Sequence, residues 1–399
     1  MNEIESKLKS GALNCLGCAS PRCEQFCHGH LPHRTILSLI KQDKFIEASE
    51  LLYSCNPFPE LTLSLCDCES GAYGHCIKNK LGSPIDTKGI ESLLSTYPLN
   101  LKTKPYNGKN VSIIGAGPAG CSLGFHLAKL GYGVTIFDEN DFIGGAILSY
   151  IPRFRFDEKI LNSVFNKLKA VGVKFVFSKR IENDDYLALK KKNDFICLCL
   201  GTNSSRKIPF ESNLIEYGLS FLKKNCQKEQ LSFPKNKVFC VYGGGNVAFD
   251  CANLLLNNGY KVNLLYRRDF SSLPANKKEI EHALSKGIGF AFTSVINDIE
   301  ISNERLLIHT LKTQLGEKIN GRASFVNTSI KGDDIVCDNL IVCIGQKPCQ
   351  FDFLPLDLER KIDEKTYLCG DLLYGSKTIG DAIFDGLQLA SIIDNNNGI

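Results

Sequence analysis

Eight of the 18 cysteines lie within the first 76 residues. Four of them form the pattern Cys15-x2-Cys18-x4-Cys23-x3-Cys27. Four thiolates around so tight a loop suit a cubane iron–sulfur cluster, and the spacing is close to the ferredoxin run C-x2-C-x2-C-x3-C-P. A structural zinc ion, which also binds four thiolates, is the alternative. The motifs that follow in the chain favour the cluster.

A second and less regular group of cysteines follows, formed by Cys66, Cys68 and Cys76. We treat these as further candidate metal ligands, because clustered cysteines in a reducing compartment are more often ligands than disulfides. Four histidines lie nearby, and we interpret each as a surface residue or a support for the ligands: His28, His30, His33 and His75.

The stretch Val111–Asp138 is typical of a dinucleotide-binding unit. It begins with a buried strand, turns on glycines in G-x-G-x-x-G register, continues as a helix and second strand, and ends on an acid. Asp138, 23 residues after Gly115, is placed to accept from a ribose hydroxyl. A glycine turn in some other α/β domain is the alternative. The candidate turn residues are Gly115, Gly117, Pro118, Ala119 and Gly120.

Further candidates for the same site follow this unit. The double glycine Gly144-Gly145 would let the backbone pass close beside something flat or bulky. Arg153 and Arg155 then offer charges for a phosphate or a carboxylate, although a solvated loop is the alternative. Gly201 ends a buried strand predicted over Asp194–Leu200, whose two cysteines we interpret as small core residues.

A second unit of the same kind starts at Val238, with a G-x-G-x-x-A turn. Its second strand, predicted over Lys261–Tyr266, ends on Arg267-Arg268 in place of an acid. Arginine suits a 2′-phosphate, so this unit is predicted to hold NADPH and the first a dinucleotide without that phosphate. An incidental surface arginine pair is the alternative. The candidate turn residues are Gly243, Gly244, Gly245, Asn246 and Val247.

The C-terminal part is predicted to complete the first site. A strand closes on Gly370-Asp371, and a helix is predicted over Thr378–Ala390. Asp371 is placed to bind the sugar-alcohol chain of a flavin. The helix start at Thr378 and Ile379 presents free N–H groups that suit an anionic reduced flavin ring.

The chain length, the net charge and the hydrophobic pattern limit the possible classes of function. At 399 residues the chain predicts more than one domain, and the net charge of +4 gives no argument for nucleic acid or for a membrane as partner. The N-terminus lacks the features of a signal peptide and no apolar run reaches 18 residues, so we expect a cytoplasmic protein. The predicted class is α/β, with two Rossmann-like domains after a small all-helical cysteine-rich domain.

The motifs together resemble the small (beta) subunit of NADPH-dependent glutamate synthase. Relatives are the N-terminal half of dihydropyrimidine dehydrogenase and ferredoxin:NADP oxidoreductase-like proteins. The resemblance covers nearly the whole chain through CLGCASPRCEQFC, NPFPE, IIGAGPAG, IGGAILSYIPRFRF, YGGGNVAFDCA, YRRDFSSLPA, CIGQKP, CGD and TIGDAIFDG. It implies a helical domain with two 4Fe-4S clusters (1–104), an FAD domain in two parts (105–210 and 346–399), and an inserted NADPH domain (211–345).

The resemblance also implies ligand sets. If the ligands of the relatives are transferred residue by residue, Cys15, Cys18, Cys23 and Cys76 would bind one cluster. Cys27, Cys66 and a middle cysteine would bind the other. Here the chain departs from its relatives, because Cys68 follows Cys66 by only two residues. The proline after Cys27 and a glycine between Tyr150 and Ile151 are also missing. A non-cysteine fourth ligand is expected for the second cluster, and Glu91 lies in the matching region.

The expected activity is electron transfer carried by cofactors, with no catalytic acid–base pair in the chain. NADPH would pass a hydride to the flavin, and the clusters would pass single electrons to a partner, so a hetero-oligomer is expected. A stand-alone NADPH:ferredoxin or sulfide/polysulfide oxidoreductase is the first alternative, and a non-catalytic iron–sulfur or scaffold subunit the second. A thioredoxin-reductase-type enzyme is disfavoured, because no C-x-x-C lies between Gly243 and Asp371.

Overall fold

The computed structural model describes residues 2–228, 230–319, 322–348 and 359–395. The described residues form two compact units. The first is built from residues within 1–148, 155–202 and 348–399, and the second from 149–154 and 203–347. The chain thus leaves the first unit and later returns to it. Within the described ranges, no helix is both long and apolar enough to cross a membrane.

The N-terminal part of the first unit is helical, as the sequence predicts. A capping box between Asn2 and Glu5 begins its first helix, and the Asp86 side chain caps its last. The helices pack around a core that includes Leu8, Ile40 and Leu94. A 3-10 turn spans Ile77–Leu81. The helices are α1 (Glu3–Leu13), α2 (Arg22–Gln25), α3 (His33–Lys41), α4 (Phe45–Cys55), α5 (Pro59–Leu65) and α6 (Thr87–Leu94).

The following part of the chain alternates strands and helices. These elements are β1 (Asn110–Ile114), α7 (Pro118–Lys129), β2 (Gly133–Phe137), α8 (Ala146–Tyr150), a 3-10 turn (Arg153–Arg155), α9 (Lys159–Ala170), β3 (Lys174–Val176), α10 (Asn183–Lys192) and β4 (Phe195–Leu198). β1 is buried from Val111 onward and apolar there except for Ser112, as suits a central parallel strand.

The second unit holds a longer run of elements. In chain order they are β5 (Ser204–Ser205), β6 (Ile215–Tyr217), α11 (Gly218–Asn225), β7 (Val238–Tyr242), α12 (Asn246–Asn257), β8 (Lys261–Tyr266), a 3-10 turn (Phe270–Ser272), α13 (Lys277–Ser285), β9 (Gly289–Phe292), β10 (Ser294–Ser302), β11 (Arg305–Ile319), β12 (Arg322–Lys331), β13 (Ile335–Cys337), β14 (Asn339–Val342) and β15 (Gln346–Lys347). The chain then returns to the first unit as β16 (Thr366–Leu368), α14 (Asp371–Tyr374) and α15 (Ile379–Asn395).

Each unit contains a five-stranded parallel sheet. The strand order is β16-β4-β1-β2-β3 in the first unit and β6-β14-β7-β8-β9 in the second. In both sheets the strand before the glycine turn is central. Ligands of such sheets bind outside the carboxyl ends of the strands where the strand order reverses, so the topology places each turn at a binding edge.

The second unit also carries an antiparallel sheet of order β10-β11-β12, to which β13 adds by pairing with β11. The predicted α/β class with two dinucleotide-binding folds is confirmed. The domain bounds remain predictions, and of the last segment residues 349–358 and 396–399 lie outside the described residues.

Candidate cofactor sites

The first glycine turn joins β1 to α7. Gly115 has a φ of 109°, and a Cβ added to it would lie 2.3 Å from the carbonyl oxygen of Cys199. A Cβ on Gly120 would lie 2.0 Å from the carbonyl oxygen of Gly115. The chain itself therefore requires these two glycines, one for the turn and one for the contact of helix with strand.

Gly117 differs from its two neighbours. Among the described residues, a Cβ on Gly117 would meet only one atom within 4 Å, the Cα of Gly145 at 3.9 Å. Its φ of −72° is open to any residue. Nothing in the protein's own packing therefore requires glycine here, and the open space fits a ligand pyrophosphate approaching the backbone N–H groups at the start of α7.

Two glycines from elsewhere in the chain pack against this turn. A Cβ on Gly145, whose φ is 53°, would lie 2.8 Å from the Cα of Gly117. A Cβ on Gly370 would lie 2.8 Å from the Cβ of Ala119. The structure therefore brings Gly145 and the Gly370-Asp371 pair to the glycine turn, although they are far apart in sequence.

Asp138 lies directly after β2 and is buried. One carboxylate oxygen accepts a hydrogen bond from the backbone N–H of Ala116 at 2.6 Å, and the other accepts from the backbone and side chain of Asn140, both at 2.8 Å. An ionised carboxylate offers about four acceptor positions. The side chain thus holds the turn and keeps room for the ribose hydroxyl that the sequence predicts.

Asp371 opens the short helix α14, and burial raises the pKa of its carboxyl to about 6. Its side chain accepts a hydrogen bond from the backbone N–H of Lys377 at 3.2 Å. A buried carboxyl beside a turn that fits a dinucleotide suits a hydroxyl donor such as the flavin side chain.

At the start of α15 the Thr378 hydroxyl accepts a hydrogen bond from the backbone N–H of Asp381 at 3.2 Å, and it donates one to the Asp381 carboxylate at 2.6 Å. α15 in turn packs on α7, where a Cβ on Gly386 would lie 2.6 Å from the carbonyl oxygen of Ala119. The helix start at Ile379 is therefore fixed by contacts with the same turn region.

Gly201, with a φ of 65°, follows β4 and precedes Thr202, whose hydroxyl lies 2.6 Å from that of Ser376.

The two arginines after the double glycine lie in one 3-10 turn but belong to different compact units. Arg153 belongs to the second unit, where its side chain donates to Gln227 and its backbone N–H donates to Cys226 at 3.2 Å. Arg155 belongs to the first unit. The role predicted for each toward a cofactor remains a prediction.

The second glycine turn joins β7 to α12 and has the same kind of geometry as the first. A Cβ on Gly243, whose φ is 143°, would lie 2.2 Å from the carbonyl oxygen of Cys343, so the turn needs glycine. A Cβ on Gly244 would lie 2.7 Å from the Tyr266 ring. In the described part of the chain no atom lies within 4 Å of a Cβ on Gly245, and this space again fits a pyrophosphate. Asn246 begins α12, and its side chain accepts from the backbone N–H of Asn276 at 2.8 Å.

Arg267 and Arg268 follow β8 as predicted, and an aromatic ring orients them. Their guanidinium carbons lie 4.4 Å and 5.5 Å from the centroid of the Phe325 ring. Stacking on a ring leaves the edges of a guanidinium free for bidentate contacts with phosphate. Burial lowers the pKa of Arg267, and the nearby charges of Arg268 and Arg206 lower this pKa further.

This concentration of positive charge fits an anion such as a 2′-phosphate. Within the described part of the chain, no carboxylate forms an ion pair with Arg267. Sequence reasoning missed Phe325 and Arg206. Phe325 lies in β12, and no local pattern links it to β8. Arg206 directly follows β5, and its positive charge is the one sequence signal that could have marked it as a candidate.

The N-terminal cysteines fall into two groups. In the first, Cys15 and Cys18 lie in the loop that follows α1, and Cys23 lies in the short helix α2. Burial raises the pKa of the Cys23 thiol to about 11, and nearby Glu24, Cys76 and Cys15 raise this pKa further. Cys76, far along the chain, is therefore close to the first loop. The resemblance implies that these four cysteines bind one cluster, and this assignment remains a prediction.

The second group contains Cys27, Cys66, Cys68 and Glu91. Burial raises the pKa of the Cys27 thiol to about 11 and that of the Glu91 carboxyl to about 8, with Cys68 contributing to both. The hydrogen bond with Cys68 and burial raise the pKa of Cys66. Cys68, despite its unusual spacing, therefore lies with Cys27 and Cys66.

A buried histidine adjoins this second group. His33 is buried, and burial lowers its pKa to about 4, so the ring is neutral. Its Nε2 atom has no hydrogen-bond partner among the described residues and lies 4.0 Å from a Glu91 carboxylate oxygen. Of the four nearby histidines, His33 is thus the one that departs from a surface position.

Nowhere in the described ranges do three or more His, Cys, Asp or Glu side chains form a group that could hold a single metal ion. The two cysteine groups nevertheless supply the donor type that iron–sulfur clusters use. The raised pKa values apply to the thiols when no metal is bound. Each thiol loses its proton when it binds metal. We therefore take the thiol groups to fit clusters, and the individual ligands stay predictions.

Comparisons with known proteins agree with these sites. Residues 109–371 match the family described as pyridine nucleotide-disulphide oxidoreductase. Residues 2–102 match dihydropyrimidine dehydrogenase domain II, described as a 4Fe-4S cluster domain. The first match covers both glycine turns, and the second covers both cysteine groups.

Several characterised proteins are similar to the chain. The glutamate synthase [NADPH] small chain of Escherichia coli is 27% identical, over 98% of this chain and 92% of its own length. The NADPH-Fe(3+) oxidoreductase subunit beta of Geobacter sulfurreducens is 28% identical, over 84% of this chain but 52% of its own length.

A solved structure of FprA from Mycobacterium tuberculosis shares the fold. It has a TM-score of 0.60 and 16% identity, and the match covers 74% of this chain and 85% of that one. The chain belongs to the pyridine nucleotide-disulphide oxidoreductase family, and it is an FAD-containing NADPH oxidoreductase with an N-terminal iron–sulfur domain.

Proposed function

We propose that this chain passes electrons from NADPH through FAD and two 4Fe-4S clusters to a separate protein of the glutamate synthase large-subunit kind. The observation that carries the proposal is the match to the glutamate synthase small chain over nearly the full length of both proteins. That match includes the cysteine-rich segment as well as the two dinucleotide folds. A cytoplasmic location is part of the same proposal.

The residues have distinct tasks in this proposal. The open backbone at Gly117, with Asp138 and Asp371, binds FAD. The open backbone at Gly245, with Arg267 and Arg268, binds and orients NADPH. FAD, when bound, accepts two electrons as a hydride and releases them singly, which one-electron iron–sulfur clusters require. Cys15, Cys18, Cys23 and Cys76 hold one cluster, while Cys27, Cys66, Cys68 and Glu91 hold the other.

The partner is tested by an acceptor screen. Purified protein and NADPH should convert glutamine and 2-oxoglutarate to glutamate only when a candidate large subunit is added, and that subunit should co-purify with the chain. Fast turnover with ferredoxin, ferric iron or polysulfide, and none with the large subunit, would instead support the stand-alone oxidoreductase. Absence of NADPH oxidation with every dye would contradict both.

Replacement of Arg267 by leucine should reduce the preference for NADPH over NADH. A charge-assisted hydrogen bond to the 2′-phosphate contributes roughly 2 kcal/mol, so the ratio of kcat/KM values should fall by about 30-fold, mainly through the KM for NADPH. The measurement is steady-state dye reduction with each nucleotide.

A matched control is Arg305→Leu, which removes an arginine of the same unit that pairs with Asp338 at 3.2 Å. This variant should keep the wild-type preference. Equal rates with NADPH and NADH in the wild-type protein would contradict the role given to the arginine pair.

A further inference from the structure

Two cationic side chains of α3 reach the loop that carries the first cysteine group. The Lys41 ammonium donates to the carbonyl oxygen of Cys15 at 2.6 Å. The Arg34 guanidinium donates to the carbonyl oxygens of Cys18 at 3.3 Å and Ala19 at 3.4 Å. The two cations are seven residues apart, or about two helical turns, so they project from one face of α3.

The contacts of these two side chains with the loop are to backbone carbonyl oxygens. Within the described ranges, neither Arg34 nor Lys41 forms an ion pair with a carboxylate. Lys9 on the neighbouring helix α1 provides the contrast, because its ammonium pairs with Asp43 at 2.6 Å. The backbone of Arg34 is also fixed, since its N–H donates to Glu24 at 2.7 Å.

This arrangement has an electrostatic consequence for any cluster in the loop. Reduction adds one electron and makes no bond, so the reduced form carries one more negative charge. A fixed cation nearby stabilises that form, and net charge and hydrogen bonding are among the factors that set iron–sulfur potentials. The Lys41 contact is partly buried, so solvent and salt screen its charge less than that of a free surface lysine.

We propose that Arg34 and Lys41 raise the reduction potential of the cluster held by the Cys15 loop and so favour electron arrival at that cluster. The inference rests on the proposed function, because it requires a cluster in this loop. Both residues act through the loop and are therefore positioning and electrostatic residues, with no contact to reacting atoms assigned to them.

The test is a redox titration, followed by electron paramagnetic resonance, of purified wild-type, Lys41→Gln and Arg34→Gln proteins. One cluster signal should move to lower potential in each variant. We expect about a tenfold change in the reduction equilibrium, which is about 59 mV for a one-electron couple. Lys41→Arg, which keeps the charge, should titrate close to the wild-type protein.

The matched control is Lys9→Gln, which removes a cation of the same helical segment that does not contact the loop. Its cluster potentials should equal those of the wild-type protein. Iron and acid-labile sulfide are measured on every sample. If the Lys41→Gln protein loses its cluster, the cluster potential of the Arg34→Gln protein decides the test.

The outcomes separate the inference from the proposed function. Wild-type protein without labile sulfide would overturn the cluster assignment and the inference together. Clusters that are present, with potentials unchanged in both variants, would overturn the inference alone. Loss of the cluster from both variants, but not from Lys9→Gln, would also overturn it, because the cations would then hold the loop and not tune its potential.

Discussion

Replacement of Gly117 by valine should yield a folded protein that contains almost no FAD. A Cβ at this position meets no atom of the described residues closer than 3.9 Å, so the packing around it should tolerate the side chain. The new methyl groups would occupy the space in which the pyrophosphate approaches the backbone N–H groups. Loss of about 3 kcal/mol of charge-assisted hydrogen bonding weakens binding about 100-fold. Flavin absorbance per chain and circular dichroism measure the two properties.

Two further variants make this prediction specific. Gly245→Val fills the equivalent space in the second unit, so it should retain FAD and raise the KM for NADPH by about 100-fold. Gly120→Val places a Cβ 2.0 Å from the Gly115 carbonyl oxygen and should fail to fold stably. A Gly117→Val protein that retains FAD at the wild-type ratio would contradict the assignment of the first turn.

Replacement of Cys76 by serine should remove one cluster and leave the flavin in place. In the proposed ligand set, Cys76 is the thiol that is distant in sequence from Cys15 but close to Cys23. With two clusters in the wild-type protein, iron and labile sulfide should fall by about half. NADPH-dependent reduction of a dye that reacts with flavin should continue, while transfer to the partner should drop at least about tenfold.

The matched control for this variant is Cys55→Ser. Cys55 belongs to the same cysteine-rich segment but ends α4 and contacts Ser54. Its replacement should leave iron, sulfide and electron transfer unchanged. Unchanged metal content in the Cys76 variant would contradict the ligand set of the first group.

The parts of the fold that depend on local sequence could be predicted. β8 spans Lys261–Tyr266 as predicted, because its apolar residues are bounded by clear turn signals. The last helix was predicted to end at Ala390 but continues to Asn395, since Ile393 is still buried on the same face. The glycine turns were predictable because G-x-G-x-x-G requires the same backbone geometry wherever it occurs.

The contacts that complete the sites are long-range and could not be predicted. Phe325 reaches the arginine pair from a different sheet of the second unit. Lys41 reaches Cys15 across 26 positions of the chain. Asp138 was predicted as a ribose ligand, but its contact with the Ala116 N–H depends on the three-dimensional turn. The sequence predicts which residues can do the chemistry, whereas packing decides which of them meet.

The most direct test of the electron path is the anaerobic addition of NADPH to the purified protein in the absence of any acceptor. Flavin absorbance and the paramagnetic signals of reduced clusters are followed in the same sample. We expect the flavin to bleach faster with NADPH than with NADH, and reduced-cluster signals to appear as the flavin is reoxidised. A flavin that is reduced by NADPH while the clusters present remain oxidised, even with a partner protein bound, would contradict the account.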